Sequence, residues 1–244
     1  MTIAQDFTDC MTAAEAELPG AELLPERLAR ACAMVLPVDG AGMSVFFADD
    51  RRLPLGASDD VSATAERLQF TVGQGPCLTA HDTGEPVVAD EEELSARWPI
   101  FTDLLVSNTP IRGIIALPLH GPLEDIGALD LYLRSPDDVR AVSLADVLVV
   151  LSTLTRTFAA AMDRQPHTES GPAWLNAPPA GRRAQVWQAL GMLNAGLHVR
   201  TTDAMALLRA HAYTHDTVLD DVADAVVQRR LDLDELAVST DRSS

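Results

Sequence analysis

The sequence predicts an α+β fold: an antiparallel sheet flanked by helices, followed by a small unit of three short helices. Three observations carry this. Strand-like apolar runs come in pairs separated by turn residues instead of alternating regularly with helices, so a parallel α/β fold fits worse. Residues 166–181 hold four prolines and two glycines and propagate neither periodic structure. Beyond them every apolar pattern recurs at spacings of three and four. These breaks divide the chain into a domain over 1–165, a Pro-rich linker over 166–180 and a helical unit over 181–236. No internal repeat is found on either side.

The elements follow in order. In "AELLPERLARACAMVL" the residues Leu24, Leu28, Ala31, Cys32 and Val35 form one apolar stripe, so this is an amphipathic helix ended near Pro37. "DGAGMSVFFADDRRLPLGAS" reads as strand, tight connection and second strand, a hairpin. A short helical piece spans Ala63 to Leu68; "FTVGQGPCLTAHDTGEPVVAD" then gives a loop, a short helix and the strand "EPVVAD". "WPIFTDLLVSN" is helical by period, "IRGIIALPLH" is a strand, and "DIGALDLYLRS" is another, with Leu129, Leu131 and Leu133 alternating. "VSLADVLVVLSTLTRTFAAAMDR" is a long helix without a breaker, apolar on most of its circumference, able to pack on the sheet, on a second copy of itself, or on both.

Composition sets bounds on function. Eighteen arginines, no lysine and 36 acidic residues give a net charge of −18, which argues against a general binder of nucleic acid or anionic membrane. The imbalance is uneven. Residues 1–170 carry 11 Arg against 27 Asp or Glu, whereas 181–230 carry six Arg against five Asp, so the two parts face different partners. Three cysteines without CxxC spacing fit neither a disulfide framework nor a zinc site, and a reducing cytoplasm is the simplest compartment. The amino terminus lacks the basic start and apolar run of a signal peptide, and no window reaches about eighteen consecutive apolar residues, so no membrane span is expected. His81 and His120 lack partners at metal-ligand spacing, and no Gly-rich loop followed by Lys is present to cradle phosphate. The acidic run from Ala89 to Leu94 reads as a solvated surface, since no Gly turn organises it as a calcium loop. No metal site is expected, and the sequence leaves the cofactor unknown.

"GQGPCLTAHDTGEPVVADE", "WPIF" and "IRGIIALPLHGPLEDIGALDLYL" together resemble the GAF domain as found in actinobacterial regulatory proteins, over roughly residues 20–163. The resemblance implies a PAS-like antiparallel sheet with a small-molecule pocket on one face, used for sensing, dimerisation or both; it does not identify the ligand. Cys77 lies in the Gly- and Pro-rich loop. It reads first as a small buried residue; a redox sensor, or a nucleophile as in GAF-type methionine sulfoxide reductases, is the alternative. The latter needs a resolving thiol, and no enzymatic activity is expected.

In the last unit, Val186, Ala189, Leu190, Leu193 and Leu197 mark a first helix, where Gly191, costly mid-helix by about 1 kcal/mol, suggests close approach of another backbone. Thr201 or Thr202 can cap a second helix containing Ala204, Leu207, Leu208 and Ala212. Thr217 and Asp220 fit a capping pattern before Val222, Ala223, Val226 and Val227.

The motifs "QA-x-GM" at Gln188–Met192, "DA-x-x-x-LR-x-x-A" at Asp203–Ala212 and "L-x-DVA-x-x-VV" at Leu219–Val227 resemble the ANTAR domain, the RNA-binding module of transcription antitermination regulators, without gaps. The resemblance implies recognition of paired RNA hairpins with short exposed loops, read by stacking and edge hydrogen bonds on a cationic surface. The residues assigned to RNA are Arg182, Arg183, Gln188, Arg200, Arg209 and His211, with Arg229, Arg230 and Tyr213 as further candidates. Arg209, in the "LR" motif, ranks first, although pairing with Asp203 or Asp216 is its structural alternative. The chain departs from many members in having Leu190, Thr217 and Val218 where basic residues occur and Asn194 where Met occurs. Leu190 and the "RRL" ending at Arg229–Leu231 do match a branch of GAF-ANTAR proteins. The expectation is a cytoplasmic homodimer in which a GAF signal, passed through the helix at 143–163, presents two helical units to tandem hairpins. The alternative is a dimeric small-molecule sensor or protein-interaction module whose helical unit has lost RNA binding.

Overall fold

The protein was analysed as a computed structural model, which describes residues 2–46, 52–123, 125–164 and 173–238. Two helices open the chain, α1 (Ile3–Glu17) and α2 (Leu24–Val35). The first was not anticipated. It packs on α2 and on the last helix of the domain, burying Phe7, and Arg27 of α2 ties its end down by donating to the carbonyls of Leu18 and Gly20 at 2.5 and 2.7 Å. Strands β1 (Gly40–Phe46) and β2 (Arg52–Ala57) form the expected hairpin arms; the "ADDRR" connection lies largely outside the described residues. Then come α3 (Asp60–Val72), α4 (Pro76–Thr83), β3 (Val87–Asp90), α5 (Glu91–Arg97), α6 (Pro99–Asn108), β4 (Gly113–Pro118), β5 (Gly127–Leu133) and α7 (Leu144–Arg164).

The five strands form one antiparallel sheet of order β2-β1-β5-β4-β3, with Met43 opposite Leu129 and Ile115 opposite Leu131. Pro54 sits on β2, an edge strand, beside the register shift between Met43 and Ser44, where a missing N–H is tolerated. One face carries Met43, Leu55, Leu117, Leu129, Leu131 and Leu133 in a single core with α1, α2 and α7. The other is covered by α3, α4 and α6. The fold is therefore α+β, as the order of elements requires. The acidic run is partly structural: Asp90 caps α5 by accepting the Glu93 amide at 3.0 Å, and Leu94 is buried.

Helix α7 is long and apolar enough to cross a membrane by length and composition. Val147, Val150, Leu151, Leu154 and Phe158 form its buried stripe, facing the sheet core. Leu144, Leu148 and Val149 lie on its exposed side.

The helical unit comprises α8 (Pro178–Leu197), α9 (Thr201–Thr214), α10 (Leu219–Val227) and the short α11 (Leu233–Val238), around a core of Val186, Leu190, Leu193, Leu208, Leu219 and Val226. Three local expectations change. Helix α8 starts inside the segment read as linker, because Pro178 and Pro179 occupy its first turn, where the missing N–H costs nothing. Gly191 faces open space; Gly196 is the glycine against which a neighbour, Leu233, packs. Neither proposed threonine cap forms: α9 begins at Thr201 after Arg200, and Val218 precedes α10 without a side-chain cap. Of the rest of the expected linker, Ala173–Asn176 form a 3-10 turn and 166–172 lie outside the described residues.

Candidate functional site

The sheet face beneath α3 and α4 holds a buried polar cluster. Arg52 of β2, Ser44 of β1, Asp130 and Tyr132 of β5, Glu66 and Gln69 of α3 and Cys77 of α4 meet there, each at most 2% exposed. Glu66 is the hub. Its carboxylate pairs with Arg52 and accepts from Ser44 Oγ at 2.8 Å and Tyr132 Oη at 2.5 Å. Gly42 makes room for it, since a Cβ there would collide with the Glu66 carboxylate. Gln69 links the two sides: it donates to Asp130 Oδ2 at 2.7 Å and accepts the Cys77 amide at 3.0 Å.

The electrostatics follow from burial. Asp130 is pushed up to about 8, by loss of water first and the Glu66 carboxylate second, against the pull of Arg52, so it is largely protonated at neutral pH. Burial of Arg52 works against its charge, but the Glu66 carboxylate paired with it outweighs that and holds it protonated. The Cys77 thiol is driven well up, chiefly by burial, and so is the Tyr132 hydroxyl. Cys77 is thus a neutral thiol, unlike the lowered-pKa thiolate of a reactive cysteine.

The other feature is the seam between α3 and the helical unit. Arg183 is 1% exposed, its guanidinium lies 3.1 Å from the Phe70 ring centroid, and its Nη1 is 3.5 Å from Asp220, itself 4% exposed. Burial lowers Arg183 to about 9 against the attraction of Asp220, which still leaves it charged at neutral pH. Arg209 approaches the same ring, 6.0 Å from its centroid, and donates to the Phe70 carbonyl at 3.4 Å. The orphan amide at the start of α10, on Leu219, donates at 3.0 Å to the hydroxyl of Thr71 on α3. One unit of the chain thereby caps a helix of the other. Val218 packs against the apolar cluster of the sheet domain, and Phe70 belongs to the core of the helical unit.

The six residues assigned to RNA are dispersed. Arg183 is interior, and Arg209 is half-buried against α3, donating to the Phe70 carbonyl. Arg182 is exposed at the start of α8, Gln188 is exposed two turns on, and His211 is half-buried, stacked at 3.9 Å on His215. Arg200 is exposed but engaged by Asp203 through two hydrogen bonds of 3.0 and 3.1 Å. Tyr213 and Arg229 are exposed, and Arg230 pairs with Asp224. The structure thus brings together Arg183 and Arg209, on Phe70, and not the set as one surface. Leu190 is 2% exposed in the helical core and Val218 lies in the seam, so apolar side chains at these positions are packing requirements. Phe70, Asp220 and the buried cluster escaped sequence reasoning. Their one signal was the polar pair Asp130 and Tyr132 alternating with the leucines of β5, together with Glu66 and Gln69 three apart on one helix face.

Among the described residues no group of three or more His, Cys, Asp or Glu side chains could hold a metal ion. No protein-family model and no curated protein matches the chain. Solved structures similar to part of it include the GAF domain of a phosphoenolpyruvate-protein phosphotransferase from Coxiella burnetii, 13% identical with a TM-score of 0.42, covering 66% of this chain and 99% of that one. Another is free methionine-R-sulfoxide reductase from Neisseria meningitidis in complex with its substrate, 14% identical with a TM-score of 0.41, covering 66% of this chain and 93% of that one. A third is the GAF domain of an Acinetobacter phosphoenolpyruvate-protein phosphotransferase, 11% identical with a TM-score of 0.41, covering 66% and 97%.

Proposed function

We propose that this chain is a cytoplasmic, signal-responsive regulator: a GAF-type sensor domain controlling a carboxy-terminal ANTAR-type unit that binds tandem RNA hairpins. In this reading the conformation described above is the closed one. The observation that carries it is the placement of Arg183 and Arg209 on Phe70 of α3, the same helix that contributes Glu66 and Gln69 to the buried cluster. A ligand or proton that rearranges the cluster moves α3, and α3 holds two of the arginines assigned to RNA. Nucleic-acid affinity depends on such cations, so freeing them adds phosphate contacts and steepens the salt dependence.

Dimerisation is part of the proposal. The exposed Leu144, Leu148 and Val149 lie within one and a half turns of α7 and suit pairing with a second copy, which doubles the RNA contacts through effective concentration.

The test is binding to a two-hairpin RNA with exposed loops against a one-hairpin control, over a salt series, for wild type, Arg209→Ala and the seam-opening Phe70→Ala. The expected order of affinity is Phe70→Ala above wild type above Arg209→Ala, with preference for two hairpins. No binding by wild type or Phe70→Ala at low salt sinks the RNA reading. A second reading, a dimeric sensor whose helices serve packing or protein partners, is favoured by the apolar Leu190 and Val218 in core and seam.

A further inference from the structure

Five buried polar atoms without a hydrogen-bond partner in the protein belong to residues lining one cleft: Nε of Arg30, Nε of Arg67, Nε and Nη1 of Arg183, and Oδ2 of Asp220. The cleft, about 200 Å³, is walled by α2, β2 and α3 on one side and by the start of α8 and α10 on the other. Leaving a charged donor buried without a hydrogen bond is costly, and Arg183 has two such nitrogens, of which Nη1 has the Asp220 carboxylate at 3.5 Å as an ion pair. We propose that this cleft is a binding site for a small anion, a carboxylate or phosphate, gripped by Arg67 of α3 and Arg182 of α8 with Arg183 behind them.

The sign of the ligand follows from which charges are already engaged. Among the lining carboxylates, Glu26 is paired with Arg30 at 2.9 Å, Glu66 with Arg52, and Asp220 with Arg183 at 3.5 Å. Asp59 accepts from the Ser62 amide at 2.9 Å and the Ser58 hydroxyl at 2.6 Å as the cap of α3, which holds its carboxyl below the usual range despite partial burial. Asp60 is the remaining acid, exposed in the first turn of α3. Against it stand Arg67, with one donor on Thr64 at 3.2 Å, and Arg182, exposed at the cleft mouth. Four of the five unsatisfied atoms are donors, and guanidinium forks match carboxylate and phosphate geometry. The volume lies below the roughly 300–1,000 Å³ of drug-sized sites, so the occupant is a small metabolite.

This site adjoins the buried cluster, with Glu66 common to both, and does not rest on RNA binding. Its geometry has a regulatory consequence. An anion touching Arg67 and Arg182 at once exists only in the docked form, so binding stabilises the seam by linkage and keeps Arg183 and Arg209 against α3.

The experiment uses the full chain and two probes, inorganic phosphate and succinate, titrated calorimetrically at constant ionic strength set with sodium chloride. Amide exchange at Leu219, whose N–H crosses the seam, is followed in parallel. Wild type is expected to bind at least one probe saturably and to protect Leu219; Arg67→Gln and Arg182→Gln are expected to weaken binding at least tenfold, and Arg156→Gln, an exposed control on α7, to leave it unchanged. Phosphate alone assigns a tetrahedral anion, succinate alone a carboxylate, and both a site that reads charge. Saturable heat from neither probe, or equal binding by all variants, overturns the site; binding that leaves Leu219 exchange unchanged overturns its bridging role. Loss of the RNA reading would alter none of these outcomes.

Discussion

The guanidinium of Arg183, from the helical unit, stacks 3.1 Å from the ring centroid of Phe70, from the sheet domain, with Asp220 at 3.5 Å as its buried counter-charge. A cation predicted to face RNA phosphate instead spends the described conformation inside the protein, balanced by one carboxylate and one aromatic face.

That balance predicts an asymmetric mutational response. Arg183→Ala strands Asp220 in the interior and is expected to destabilise the protein by about 3–5 kcal/mol, whereas Arg183→Met with Asp220→Leu, which removes both charges and keeps the volume, is expected to recover most of the loss. Urea denaturation of Arg183→Ala, of the singles Arg183→Met and Asp220→Leu, and of their double variant checks this. Additive losses would show that the pair does not interact.

Gly73, in the left-handed region at φ 74°, ends α3 beside Arg209; a Cβ there would come within 2.5 Å of the Arg209 guanidinium carbon. Gly73→Ala therefore carries a backbone cost of about 1–2 kcal/mol and displaces Arg209 from α3. The expected outcome is faster amide exchange at Leu219 with the sheet core unchanged. Slower or unaltered exchange would mean that the seam does not depend on this close approach.

The pH prediction concerns Asp130. Its folded-state value of about 8 lies above the ordinary carboxylate value, so the native protein keeps a proton that the unfolded chain loses. Stability is therefore full at low pH as far as this group is concerned, falls as pH rises from about 4 to about 8, and is flat beyond. Asp130→Asn cannot titrate, so its stability relative to wild type is expected to rise through that window. Denaturation midpoints of both proteins at pH 5 and pH 8 decide; a difference that is constant or shrinks with pH rejects the assignment.

Cys32 and Cys77 are buried, and burial raises both thiols, whereas Cys10 is partly exposed on α1. An Ellman-type reagent is expected to label one thiol of the native protein rapidly and all three only on unfolding. Rapid native labelling of Cys77 would restore the thiol-chemistry alternative.

Much of the framework is legible from local pattern. The hairpin, the paired strands β4 and β5, the amphipathic α2 and the long α7 follow from periodicities of two and 3.6 that any neighbour would respect. The alternation of Leu129, Leu131 and Leu133 correctly marks one buried face of β5. It is silent about the other, where Asp130 and Tyr132 look like solvent-facing residues until Glu66 and Gln69 close over them. Capping went astray for the same reason: Thr217 satisfies a local rule, but the hydroxyl that serves α10 comes from Thr71, 148 residues away.

The sequence by itself determined the fold class, the acid excess and the candidate cations, because these depend on composition and on residues a few positions apart. Tertiary structure alone decided which of those cations reach solvent. Arg183 and Arg182 are adjacent in the chain and alike in chemistry, yet one is buried and the other exposed, because consecutive positions on a helix point about 100° apart and only one faces α3. A charge is placed by the sum of its desolvation and its partners, and the partners of Arg183, Phe70 and Asp220, come from opposite units of the fold.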